Sequence, residues 1–123
     1  MEINTAELVL PFRPISKPRP RATIKQARPY MDKVYMEWKK DVRAFMGEWW
    51  ADPPLQFINC LIVHFHGPAR GDLDNRLGSV LDAGNGLIWS DDNVTVINAV
   101  AMRHYKTPTK EAHVYMKLIW PRQ

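Results

Sequence analysis

Two aspartates one residue apart, Asp72 and Asp74, stand in the run Arg70-Gly71-Asp72-Leu73-Asp74-Asn75. In an extended segment, residues two apart project to the same side, so the two carboxylates would share one site. Like charges brought together raise a pKa or require a cation, and an all-oxygen pair suits Mg²⁺ or Mn²⁺ better than zinc. Each residue also has an ordinary structural reading. Asp74 is placed to N-cap a helix, and Asp72 to be a solvated loop residue or a partner of Arg70. A second acidic pair, Asp91-Asp92, lies in the polar turn Ser90-Asp91-Asp92-Asn93, where aspartate commonly serves turn geometry alone. Neighbouring side chains of an extended chain point opposite ways, so at most one of this pair faces Asp72 and Asp74. Spacing does not choose between them.

Carboxylates that work on a polyanion need cations nearby. Lys17, Arg19, Arg21, Lys25 and Arg28 are interleaved with Pro18, Pro20 and Pro29 in a basic loop at about residues 15–29. Its plain reading is a solvated arm; its functional reading is phosphate contact that offsets the repulsion between catalytic carboxylates and a nucleic-acid backbone. Arg70 and Arg76, on either side of the acidic pair, join it as candidate DNA contacts. The net charge of +4 agrees with a polyanionic partner.

Other chemistries find less support. His64 and His66 alternate on a strand-like run, yet no third zinc ligand follows at a familiar spacing, and the solvated side of a sheet accounts for both. His104 and His113 have no motif around them. Cys60 is the only cysteine, so there is no disulfide framework and no thiolate cluster, and a reducing, cytosolic setting fits best. The N-terminal residues lack the pattern of a secretory leader, and no apolar run approaches the roughly 18 residues of a membrane span.

The elements that must position these groups can be read between the prolines and glycines. Residues 7–12 form a short strand. Val34, Trp38, Val42, Phe45 and Trp49 recur at helical spacing with charged residues between them, which predicts an amphipathic helix over 31–50 with both tryptophans on its apolar stripe. Residues 57–66, rich in β-branched and aromatic side chains and stopped by Gly67-Pro68, predict a central strand. Leu77, Val80 and Leu81 mark a short helix over about 75–84, with Asp74 as its cap and Asn85-Gly86 as its stop. Residues 94–103 and 112–120 read as two further strands that pair antiparallel. With 123 residues and 46% apolar composition, the chain suffices for one core. The expected fold is α/β in the α+β sense: a single domain over residues 1–123, with a mixed sheet and two main helices.

Gly71-Asp72-Leu73-Asp74-Asn75, the helical run Leu77 to Ala83 with Asp82, the turn Asn85-Gly86 and then Ile88-Trp89-Ser90-Asp91-Asp92 are together similar to the core signature of the RusA family of Holliday junction resolvases. Lys17-Pro18-Arg19-Pro20-Arg21 resembles the basic loop that follows the first strand in that family. The resemblance implies a homodimer, Mg²⁺-dependent phosphodiester cleavage (with Mn²⁺ as a substitute) and branched DNA such as a four-way junction as substrate. It implies a bacterial or phage-encoded protein acting in DNA recombination and repair. Carried over by position, it makes Asp72, Asp74 and Asp92 the catalytic and metal-holding carboxylates, with Asp91 and Asp82 as secondary candidates. One departure stands out: the family lysine four residues after the second aspartate is here Gly78. Arg76 replaces it poorly, being about 200° around the helix from Asp74; Lys17, Arg19 and Arg70 are the other candidates. Without a substitute the resemblance implies a weak or inactive enzyme that binds branched DNA without cutting it. A third reading, a basic interaction domain indifferent to DNA, needs no metal.

Overall fold

The computed structural model describes residues 2–18 and 32–122. Four strands and two helices are built from them in the order β1 (Ile3–Leu10), α1 (Lys33–Trp49), β2 (Cys60–Gly67), α2 (Leu73–Gly84), β3 (Val100–Lys106) and β4 (His113–Pro121). The sheet order is β1-β4-β2-β3. β4 pairs antiparallel with both β1 and β2, while β3 runs parallel to β2, so the sheet is mixed as expected.

Alternation along β2 and β4 decides where the core lies. Leu61, Val63 and Phe65 of β2 and Val114, Met116 and Leu118 of β4 are fully buried on one face, the period of two that a strand imposes. Both helices cover that face. From α1 come Tyr35, Trp38, Val42 and Met46, and from α2 Val80 and Ala83. Asp32 caps α1, its carboxylate accepting the Tyr35 amide at 3.1 Å. The predicted stripe was close, but Val34 is exposed and Tyr35 takes its place in the core. Trp49 packs against the core's edge, beside Trp50.

The first strand starts and ends earlier than the expected 7–12, at Ile3–Leu10, and two expectations about the later strands fail. The last two strands do not pair with each other, because β2 lies between them. The link after β3 runs through Pro108 and a single 3₁₀ turn, Thr109–Glu111, and the Thr107 amide donates to Gly67 O at 3.0 Å, so the chain passes the end of β2 before β4 begins. The strand read over 94–103 also begins late. Asn93 O accepts the amides of Val96 and Ile97, and Asn93 Oδ1 accepts that of Thr95, folding 94–96 into a turn despite its β-branched residues. Only from Val100 does the chain join the sheet.

Candidate active site

β2 ends at Gly67, and residues 68–72 lead straight into α2. Gly71 sits at φ +72°, a left-handed conformation that favours glycine, and a Cβ there would come within 2.7 Å of Ser16 Oγ. The acidic pair follows immediately. Asp72 is the N-cap residue, extended at φ −98° and ψ 143°, with its carbonyl accepting the Arg76 amide at 3.2 Å. This corrects the assignment of the cap to Asp74, which lies inside the first turn. The helix starts earlier than predicted because Leu73 is already helical, and the two aspartates are therefore not neighbours on one face of an extended segment. They share instead the N-terminal end of α2, where unpaired backbone N–H groups favour negative charge. The Asp72 side chain makes no capping hydrogen bond, and Asp74 accepts only the amide of Asn75, at 2.9 Å. Both are exposed, and neither forms an ion pair among the described residues.

The segment that leads into the second acidic pair is anchored by packing against the C-terminal part of α2. Trp89 is fully buried, and its indole N–H donates to Leu81 O at 3.0 Å. Leu55 and the Ile88–Ser90 segment exchange two backbone hydrogen bonds, of 2.7 and 2.9 Å. The turn that follows treats its aspartates differently. Asp91 accepts the Asp92 amide at 2.8 Å and the Asn93 side-chain amide at 2.9 Å, one on each carboxylate oxygen. Among the described residues the Asp92 carboxylate has no such partner and stands exposed.

Asp82 has a different environment. It is half-buried on α2, accepts a hydrogen bond from the Tyr35 hydroxyl, and pairs with Lys39 at 3.1 Å and Lys17 at 3.7 Å. Burial pushes its carboxyl up, but the Tyr35 hydroxyl and the two ammonium groups outweigh that and hold it below the usual carboxylate range. Burial, together with the same contact to Asp82, raises the Tyr35 phenol. About 12 Å of helix axis separates Asp74 from Asp82, so Asp82 ties α1, α2 and the residue-17 segment together at a distance from the acidic pair.

Lys17 also lies against Gly78. A Cβ at position 78 would lie 3.6 and 3.7 Å from Lys17 Cβ and Cδ, so the lysine stem covers the spot that the glycine leaves open. Its amide donates to Asn75 O at 2.9 Å and its ammonium turns toward Asp82. Arg19, Arg21, Lys25 and Arg28 lie outside the described residues.

Arg70 is exposed in the loop before the pair, whereas Arg76 is buried within α2. His64 and His66 share one face of β2, as their alternation predicts, and join an aromatic array that spacing alone does not suggest. On the sheet face away from the helices, His66 stacks between His113 at 4.1 Å and Tyr105 at 4.7 Å, with His64 against Tyr105 and Tyr115. Burial and the neighbouring His113, His64 and His104 hold the His66 imidazole below its usual pKa.

None of the four aspartates of the two acidic pairs has a cationic partner among the described residues, and Asp72, Asp74 and Asp92 each keep at least one carboxylate oxygen uncommitted. Their all-oxygen chemistry fits a hard divalent cation. Among the described residues no three His, Cys, Asp or Glu side chains stand close enough to hold an ion by themselves. Magnesium does not demand that, since it is commonly bound through one or two carboxylates with waters and substrate phosphate completing its shell. No helix among the described residues is long and apolar enough to cross a membrane.

One protein-family model, described as endodeoxyribonuclease RusA, matches residues 11–119, a span that contains every element of the site. No curated protein matches the chain.

Proposed function

The chain belongs to the RusA family of endodeoxyribonucleases, and from that premise we propose that it resolves four-way DNA junctions by paired nicks, using Mg²⁺ held by Asp72, Asp74 and Asp92. The observation that carries this reading is the contrast between the two aspartates of the second pair. Asp91 spends both carboxylate oxygens on its own turn, while among the described residues Asp92 keeps both of its oxygens free, and the exposed Asp74 at the head of α2 commits only one, to the Asn75 amide. The residue that the resemblance selects is the one whose local hydrogen bonding leaves it available.

When bound, a divalent ion supplies Lewis-acid charge at the phosphate and lowers the pKa of a water. The chain's own residues do the rest. Asp72 and Asp74 present oxygen ligands at the positive end of α2, and the Trp89 anchor fixes the turn that carries Asp92. The cations of residues 17–28, with Arg70, meet the backbone and offset repulsion between phosphates and carboxylates. A four-way junction is approximately two-fold symmetric, so a homodimer with one site per subunit suits paired cuts. Such an enzyme acts where the DNA is, in the cytoplasm of a bacterium or a phage-infected cell.

A second reading, a branched-DNA-binding protein that cuts poorly or not at all, draws on Gly78: among the described residues the cation that lies against that position, Lys17, is engaged with Asp82. One assay separates the two. A synthetic junction incubated with Mg²⁺ and protein is nicked at symmetric positions by a resolvase, and is bound without nicks by the alternative.

A further inference from the structure

A cavity of about 340 Å³ opens beside the acidic pair, on the Gly71 loop. Three arginines line it, Arg13, Arg70 and Arg76, together with the hydroxyl residues Ser16 and Thr109. No carboxylate is among its lining residues; prolines, glycine and isoleucine make up the remainder.

Its floor is built. The segment carrying Arg13 and Ser16 is pinned to the two helices by three hydrogen bonds. Trp38 Nε1 donates to Arg13 O at 2.9 Å, Ser79 Oγ to Ile15 O at 2.7 Å, and the Lys17 amide to Asn75 O at 2.9 Å. The wall from α2 is Arg76, only 6% exposed. Its guanidinium makes one long hydrogen bond, 3.3 Å to Pro68 O, and its Nε and Nη1 have no partner among the described residues. Arg76 also lines a second cavity of about 330 Å³ with Arg70 and His104, whose Nε2 is likewise buried without a partner. Residues 19–31 contain no aspartate or glutamate, so their side chains hold no counter-charge for it.

A buried guanidinium without a counter-ion is costly, and arginine does not escape the cost by losing its proton. Burial pushes the Arg76 pKa down from its ordinary value. An anion entering the cavity would match that charge and offset the cost. Guanidinium forks and hydroxyls are donors suited to the oxygens of a phosphate.

We propose that the Arg13–Arg76 cavity is a phosphate-binding subsite, taking a backbone phosphodiester of the DNA strand next to the one presented to Asp72 and Asp74. The location rests on the nuclease reading above; the phosphate chemistry does not. Arg76 fixes the anion from below, Arg13 and Arg70 close over it, and Ser16 and Thr109 supply neutral donors.

The test uses the full chain in metal-free buffer with EDTA, so that cleavage plays no part. Inorganic phosphate is titrated against chloride at matched ionic strength while thermal stability is followed. Wild type should show a saturable rise in Tm, the linkage expected of a ligand that binds only the folded state. Arg76→Met should abolish that rise, with Tm in phosphate-free buffer equal to or above wild type because an unmatched buried charge is gone. Arg13→Gln, at an exposed position whose anchor is its backbone carbonyl, should keep its fold and weaken phosphate by about tenfold. Both variants should weaken junction binding by a similar factor. No phosphate response in wild type, or an unchanged response in Arg13→Gln, overturns the subsite; if Arg76→Met does not fold, Arg13→Gln decides. A phosphate response with unchanged junction affinity in the variants would mean that the cavity takes free phosphate and would overturn the assignment to DNA. Should the phosphate and junction results hold in a protein that never nicks, the subsite stands and the nuclease reading falls.

Discussion

Trp89 packs directly against the backbone of Gly84, with its indole N–H bonded to Leu81 O, so that a Cβ at position 84 would overlap the six-membered ring. The ring is fully buried and has no room to give way. Gly84→Ala should therefore destabilise the fold by about 1–3 kcal/mol, as overpacking does, measured as a fall in the urea midpoint. Because Trp89 also anchors the turn bearing Asp92, single-turnover cleavage at saturating protein should drop as well, under conditions where the variant is still folded. A variant as stable as wild type would show that the contact is not tight.

How much of this was legible beforehand depended on whether the information was local. The three- and four-residue spacing of Trp38, Val42 and Phe45 is a local signal, and it predicted α1 almost to its ends. The order of strands is not local: hydrophobic runs say which residues are buried but not that β4 inserts between β1 and β2. The Val-Thr-Val-Ile run at 94–97 has strong β propensity, yet one side chain, Asn93, overrides it by capping the turn. At the proposed site, the short motif points to Asp72, Asp74 and Asp92, but periodicity sets the start of α2 too late and so gives the cap to Asp74, whereas Asp72 holds it. Arg13, Ser16 and Thr109 could not have been grouped at all, since the fold brings them to one cavity from separate segments. The burial of Arg76 did have a signal. It lies one residue before Leu77, on the α2 face that also carries Ser79, Val80 and Ala83, and a cation there demands an anion.

The Asp82 network should appear in the pH dependence of stability. Its folded-state carboxyl is depressed relative to the ordinary 3.8, so its contribution is fully present above that value and is lost as pH falls through the lower folded value. Tyr35→Phe removes the hydroxyl donor and should cost about 1.5–3 kcal/mol at pH 7, in the range for a hydrogen bond to a charged group. Asp82→Asn should flatten the loss of stability below pH 4. Denaturation midpoints recorded from pH 7 down to pH 2 measure both. An acid limb unchanged in Asp82→Asn would mean that other carboxylates dominate it.

Gly78 offers a test of helix propensity and of the missing cation together. A Cβ there meets Lys17 only at ordinary contact distance, so Gly78→Ala should stabilise the protein by up to about 1 kcal/mol with little effect on cutting. Gly78→Lys places a second ammonium beside Lys17 and should leave single-turnover cleavage similar or lower it, if a cation from another segment already serves the site. A large gain in rate would show instead that the native site lacks that charge.

The four aspartates give the sharpest test of the proposed chemistry. Asp72→Asn, Asp74→Asn and Asp92→Asn each preserve shape while removing a negative charge and a hard oxygen ligand. Loss of several kcal/mol of charge stabilisation should slow single-turnover cleavage by about a thousandfold. Junction binding should survive, and in EDTA it should tighten, because one fewer exposed carboxylate repels the phosphates. Asp91→Asn is the internal control. Its carboxylate serves the amides of Asp92 and Asn93, and an asparagine oxygen retains one of those acceptor roles, so the variant should cut within a few-fold of wild type and lose a little stability. Wild-type rates in both Asp72→Asn and Asp74→Asn would sink the nuclease assignment. A normal Asp92→Asn beside a dead Asp91→Asn would keep the enzyme but move its third ligand by one residue, which would require the 91–93 turn to release Asp91 from its own backbone when DNA binds.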